Sequence, residues 1–149
     1  TTIWNVGNTL APYSKYVLHQ YLENSHRDLI ESKQLRLIIE LKTLIPYQPI
    51  GTIDLFDIDF INKRAGIGIL IAEELHRKKG YAETTIRLME EYVFKTLNLS
   101  QLHCKIDYDN QISLKLFQKI GYQITGTLSK WKMTSSGLKD VYFLQHFLE

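Results

Sequence analysis

The feature that most limits what this chain can become is the apolar run Ile67-Gly68-Ile69-Leu70-Ile71, followed shortly by Arg77-Lys78-Lys79-Gly80-Tyr81-Ala82. The first piece is β-branched and too brief for a helix, so it reads as a buried strand beginning at Gly66. The second opens a helix. Ala82, Ile86, Met89, Val93 and Leu97 recur at three- and four-residue steps as one apolar stripe, while Glu83, Arg87, Glu90, Glu91 and Lys95 fall largely outside it. A strand, a basic glycine-containing turn and a helix therefore follow one another directly.

That order has a chemical use. The first turn of a helix presents backbone N–H groups with no internal partner and a partial positive charge, and a phosphate fits there. Gly80 opens backbone angles closed to other residues, and Arg77, Lys78 and Lys79 bring positive charge to the rim. A solvated turn whose lysines serve only solubility is the alternative. Two familiar phosphate loops do not apply. No Lys-[ST] pair follows Gly80, as a Walker A loop requires. The nearest dinucleotide fingerprint, from Gly66 through Gly68 to Ile71, lacks its third glycine and lies inside the strand.

Two motifs in sequence carry a resemblance. Arg77-x-x-Gly80-x-Ala82, between a strand and a helix, resembles the acetyl-coenzyme A motif of the GNAT superfamily of N-acetyltransferases. Further on, the stretch from Asn110 through Ser113 and Phe117 to Gly121-Tyr122 resembles that family's second signature, an Asn-led helix ending in a basic residue, Gly and an aromatic. The likeness runs over roughly residues 32–148 and is closest to the ribosomal-protein N-terminal and spermidine acetyltransferases. It implies a single α/β (α+β) domain over residues 1–149, with a central mixed twisted sheet, splayed parallel strands and flanking helices. It also implies acetyl-coenzyme A as co-substrate and a primary amine as acceptor: a polyamine, a protein amino terminus or a small amine.

The resemblance assigns roles residue by residue. Backbone amides of Arg77, Lys78, Lys79, Gly80, Tyr81, Ala82 and Glu83 would hold the pyrophosphate, and the Ile69, Leu70, Ile71 edge would pair with the pantetheine arm. A backbone N–H near Leu70 would polarise the thioester carbonyl. Asn110, Ser113, Phe117 and Lys119 would flank the sulfur and the adenine side. Two departures matter. Where related enzymes often place a proton-donating Tyr, this chain has Phe117, which has no proton to give; Ser113, one turn earlier on the same side, carries a hydroxyl that would hydrogen-bond the coenzyme sulfur, against the alternative of structural filler. Where they usually carry Glu in the cofactor strand, it has Gly66. Asp54, with Asp57 and Asp59 on the preceding strand, is then the candidate base, against the alternative of solvated surface carboxylates. Asp54 and Asp57, an odd step apart, point to opposite faces if the strand is regular. A domain that binds acyl-coenzyme A without catalysis is a second reading, and a purely structural domain a third.

Length and composition fit one globular domain: 149 residues, 44% hydrophobic and 23% charged. A net charge of +2 is too small for bulk nucleic-acid binding. No apolar run is long enough to span a bilayer and no secretory leader is visible, which makes cytoplasm the expectation; homo-oligomerisation is left open. The single cysteine, Cys104, excludes an internal disulfide and the usual zinc cluster, and no metal is expected. Cys104 alternates with Leu102 and Ile106 and is expected in the core. The chain opens at Thr1 with no counterpart of the family's first strand, so its amino terminus is expected to be incomplete or processed.

The remaining elements follow from pattern. Pro12 and Ser14 start a helix to about Asn24, with Trp4, Tyr13, Tyr16 and Tyr21 as packing or pocket aromatics. Residues 25–34 read as loop, 35–41 and 50–59 as strands, and 60–63 as the turn of an antiparallel hairpin. Residues 99–107 form a strand parallel to the one at Gly66 if the intervening helix is a right-handed crossover. Asp109 or Asn110 caps the next helix and Gly121 ends it. Strands over 122–128, 131–134 and 141–148 close the chain, with Gly126 as a bulge. His103 and His146 lie in strands and match no nucleophile motif, so neither is given a catalytic role.

Overall fold

The computed structural model describes residues 28–43 and 45–149. The amino-terminal helix expected over Pro12–Asn24, and Trp4, Tyr13, Tyr16 and Tyr21, lie outside them. Six strands form one sheet: β1 (Leu35–Leu41), β2 (Gln48–Asp59), β3 (Arg64–Ile71), β4 (Gln101–Asp107), β5 (Gln123–Thr134) and β6 (Gly137–Phe147). Their order is β1-β2-β3-β4-β6-β5, antiparallel throughout except for the β3–β4 pair. The helices are α1 (Leu29–Ser32), α2 (Tyr81–Lys95) and α3 (Gln111–Ile120). α2 is the crossover that makes β3 and β4 parallel, as its place in the sequence requires.

One face of the sheet carries the core. Ile53, Leu55, Ala65, Ile67, Leu102, Cys104, Ile106 and Leu144 are buried there against Ile86, Met89 and Val93 of α2 and Leu114, Phe117 and Ile120 of α3. Each of the Ile, Leu, Val, Met and Phe side chains among them contributes about 1.5–3 kcal/mol on full burial. The two helix stripes are thus what hold α2 and α3 on the sheet. α2 ends where Asn98, at φ 55°, turns the chain left-handed ahead of the buried Leu99. Cys104 is a core residue, as its alternation predicts, and burial pushes its thiol up to about 12.

Three local expectations change. Residues 25–34 are not all loop: Asp28 caps the short α1 by accepting from the Ile30 N–H at 3.4 Å. β5 runs unbroken from Gln123 to Thr134, with register shifts at Ile124/Gly126 and Leu128/Lys132, and β6 starts already at Gly137. β2 is not regular either. Its register with β3 shifts between Phe56 and Asp59, and Asp57 sits in the bulge at φ 48°, so counting odd and even steps from Asp54 does not give Asp57's direction.

Candidate active site

The sheet is split along one line. β3 and β4 pair only at Arg64–Gln101, Ala65–Leu102 and Gly66–His103, although β3 continues to Ile71 and β4 to Asp107. Beyond Gly66 and His103 the parallel strands part, and each keeps only its outer antiparallel neighbour. Backbone groups on the inner edges then face a slot instead of a strand.

The β2–β3 register decides which groups these are. The Ala72 N–H donates to the Ile50 carbonyl at 2.9 Å, and in an antiparallel ladder hydrogen-bonded pairs recur every second residue. Leu70–Thr52 is therefore a bonded pair, and the Leu70 N–H points at β2. This removes Leu70's own N–H from the expected donor near Leu70 and leaves its neighbours. The amides turned to the slot are those of Ile69 and Ile71.

At the open end of the slot the chain makes a 3₁₀ turn (Glu74–His76) and reaches α2 through Lys78 at φ 59° and Gly80 at φ 81°. A Cβ on Gly80 would meet nothing within 4 Å, so the space over this turn is open. Thr84 is the first α2 residue whose N–H is bonded, to Gly80 O at 3.0 Å. Among the described residues, no protein acceptor takes the N–H groups of Lys78 to Glu83. These unbonded donors lie at a positive helix end, the chemistry an anion needs.

The side chains around them divide the work differently from the expectation. Arg77 does not extend to the rim. Its Nε and Nη2 donate to Ile71 O and Ala72 O, each at 3.2 Å, so the guanidinium braces the end of β3. Lys78 and Lys79 remain exposed at the turn. Glu83, an acid in the first helical turn, is neutralised by Lys119 at 2.7 Å and Arg87 at 3.2 Å. Those hydrogen bonds, Lys119's foremost, hold its carboxyl below the usual range. Lys119 thereby ties α3 to the start of α2.

On the β4 side, Asn110 caps α3, its Oδ1 accepting from the Ser113 N–H at 3.2 Å. The half-buried Ser113 carries a hydroxyl with no protein partner among the described residues. Phe117, one turn on, is only 4% exposed and packs edge-on against Tyr122 at 4.9 Å. This corrects its assignment as a cofactor contact: it is part of the core under the slot. Asp54 is also engaged. Arg36, opposite it on β1, grips both carboxylate oxygens at 2.6 and 3.0 Å, which leaves it poorly placed to accept a proton.

The face of the sheet away from the helices carries an arrangement that the sequence reading did not single out. The Phe56 ring lies over Gly66, where an added Cβ would come within 2.2 Å of it. Phe56 stands edge-on to His103 at 6.3 Å, and His103 stacks on Phe143 at 5.3 Å. His103 lines a groove of about 560 Å³ with Asp57, Asp59, Arg64, Gln101 and Gln145 among others. The alternation of β4 signals that His103 faces away from Cys104; the proximity of Phe143, far along the chain, has no local signal.

Comparison with known proteins agrees with this geometry. A family model described as an acetyltransferase (GNAT) domain matches residues 2–123. A spermidine N(1)-acetyltransferase of Vibrio cholerae is 29% identical over 139 residues, covering 90% of this chain and 76% of the relative. The Escherichia coli enzyme of the same name is 26% identical over 117 residues, and the match spans only 59% of its length. Among solved structures, a spermidine N-acetyltransferase from Vibrio cholerae in complex with CoA and spermine superposes with a TM-score of 0.80 at 24% identity, covering 93% of this chain and 78% of that one. The matched model spans most of the residues from which the slot and the turn after it are built, and the chain belongs to the GNAT acetyltransferase family, whose members draw the acetyl group from acetyl-coenzyme A.

Proposed function

We propose that this protein moves an acetyl group from acetyl-coenzyme A to a primary amine by direct attack, with a polyamine such as spermidine as the first acceptor to test. The observation that carries the reading is the fork between β3 and β4, which ends beside the unpartnered amides of Lys78 to Glu83. In this reading those amides take the pyrophosphate, and the slot-facing amides of Ile69 and Ile71 take the pantetheine carbonyls as a missing strand would. In the same reading Asn110 and Ser113 form the other wall, with the Ser113 hydroxyl as proton donor to the departing sulfur. Lys119 stays with Glu83 and sets the α2–α3 spacing. The names of the Vibrio cholerae and Escherichia coli relatives support a polyamine acceptor. We take residues 1–149 as one domain and place it in the cytoplasm, since its co-substrate is made and used inside cells. Among the described residues no helix is long and apolar enough to cross a membrane.

The test is release of free coenzyme A thiol from acetyl-coenzyme A in the presence of spermidine, spermine, a peptide with a free amino terminus and an amino sugar, beside a thermal-shift titration with acetyl-coenzyme A. Thermal stabilisation with thiol release for at least one amine is expected. Stabilisation without release by any of them would leave a binding domain, and absence of stabilisation would remove the acetyl-coenzyme A site. Ser113→Ala is expected to lower turnover while binding persists; unchanged turnover would take the serine out of the mechanism.

A further inference from the structure

We propose that His103 is the residue that accepts the proton from the acceptor amine, an inference that rests on the acetyltransferase reading above. The slot is a dead end. Its open end lies at the anion-binding turn after β3, and its closed end is the Gly66–His103 pair, the last at which the strands still hold together. An extended thioester arm anchored by phosphate at the open end runs toward that pair. Gly66 contributes no side chain there and Phe56 covers it, so the functional group at the fork is the imidazole of His103.

The surroundings of the ring fit the task. Phe143 stacks on one side and Phe56 abuts an edge, which fixes its plane. Nδ1 is shut away from solvent without a partner, and among the described residues neither ring nitrogen has a hydrogen-bond partner in the protein. Burial lowers the pKa of His103, which keeps the imidazole neutral and able to accept. Asp57 of the β2 bulge opposes that shift, while Lys105 on β4 and Arg64 on β3 add to it; Lys33 after α1 and Asp59 on β2 also line the groove, to which β6 contributes Phe143 and Gln145. Asp57 is then the counter-charge for the imidazolium once it forms. His103 also opens on the groove that it shares with Asp57, Asp59 and Gln145, so an amine arriving on this face meets the imidazole at the fork.

The step balances. The arriving ammonium gives one proton to His103, and the neutral nitrogen attacks the thioester carbonyl. The C–N bond forms, the C–S bond breaks, and the nitrogen sheds its second proton. Of the two protons lost, one ends on the coenzyme thiol and the other passes from the imidazolium to solvent.

The test compares wild type with His103→Gln and His103→Ala, using acetyl-coenzyme A and spermidine, or whichever amine of the panel above the wild type acetylates. For both variants kcat is expected to fall about 10²- to 10⁴-fold, with the acetyl-coenzyme A thermal shift preserved. The wild-type pH profile of kcat/KM should rise through a group titrating below the ordinary histidine range, and that limb should vanish in His103→Gln. Added imidazole should restore turnover to His103→Ala, which a merely structural role would not produce. Full turnover by His103→Gln with the thermal shift intact would overturn the proposal and leave the acetyltransferase reading standing. If wild type neither shifts nor acetylates any amine, both fall. If the variants lose the thermal shift as well, or imidazole fails to rescue, His103 acts through packing and the proposal is wrong.

Discussion

Gly66 shows how one residue decides what chemistry its strand can hold. Because a Cβ there would meet the Phe56 ring at 2.2 Å, Gly66→Ala should cost about 1–3 kcal/mol of stability. The cost should shrink in a Phe56→Ala background, a coupling that a double-mutant cycle by urea unfolding measures. An additive pair would mean that the ring moves aside freely. Cys104 gives a second case at this scale. Its folded thiol titrates near 12 and an ordinary one near 9, so above that lower value the unfolded chain sheds a proton the folded chain keeps. Its contribution is therefore whole below about pH 9 and drains away as pH climbs toward 12. Removing the thiol with Cys104→Ala should flatten this part of the alkaline loss, measured as the difference in unfolding free energy between the two proteins across that window; an identical slope would refute the assignment.

At the scale of elements, the pattern was most readable where one period dominates. The stripe Ile86, Met89, Val93 foretold α2, the alternation of Leu102, Cys104 and Ile106 foretold β4, and both bury as expected. The cap at Asn110 and the stop at Gly121, with φ 129°, were equally local signals. What failed to read was relational. Asp57's direction depends on a bulge set by the register of β2 against β3, and Leu70's N–H on which pairs of that ladder are bonded. Neither quantity is written in β2 or β3 alone. Arg77 illustrates the same gap: its charge suggested a phosphate contact, while the turn geometry folds it back onto the carbonyls of Ile71 and Ala72. The aromatic row of Phe56, His103 and Phe143 comes from three strands and was invisible for the same reason.

For the whole molecule, the decisive fact is that β1–β3 and β4–β6 meet across only three ladder pairs, with α2 and α3 bridging them on one face. A ligand in the slot would add hydrogen bonds where the sheet lacks them. Acetyl-coenzyme A should therefore slow deuterium uptake at the amides of Ile69 and Ile71 and around Lys78 to Glu83, while Leu70, already bonded to β2, should change little. Uniform protection across β3, or none, would be inconsistent with this pairing. The split sheet also bears on how such a protein tolerates change. In the proposed reading the thioester is held by main-chain atoms that every amino acid but proline supplies, so ordinary substitutions along that rail cannot erase the donors; they can only obstruct the path to them. Drift in the sequence should therefore alter which amine is chosen long before it abolishes capture of the acyl carrier.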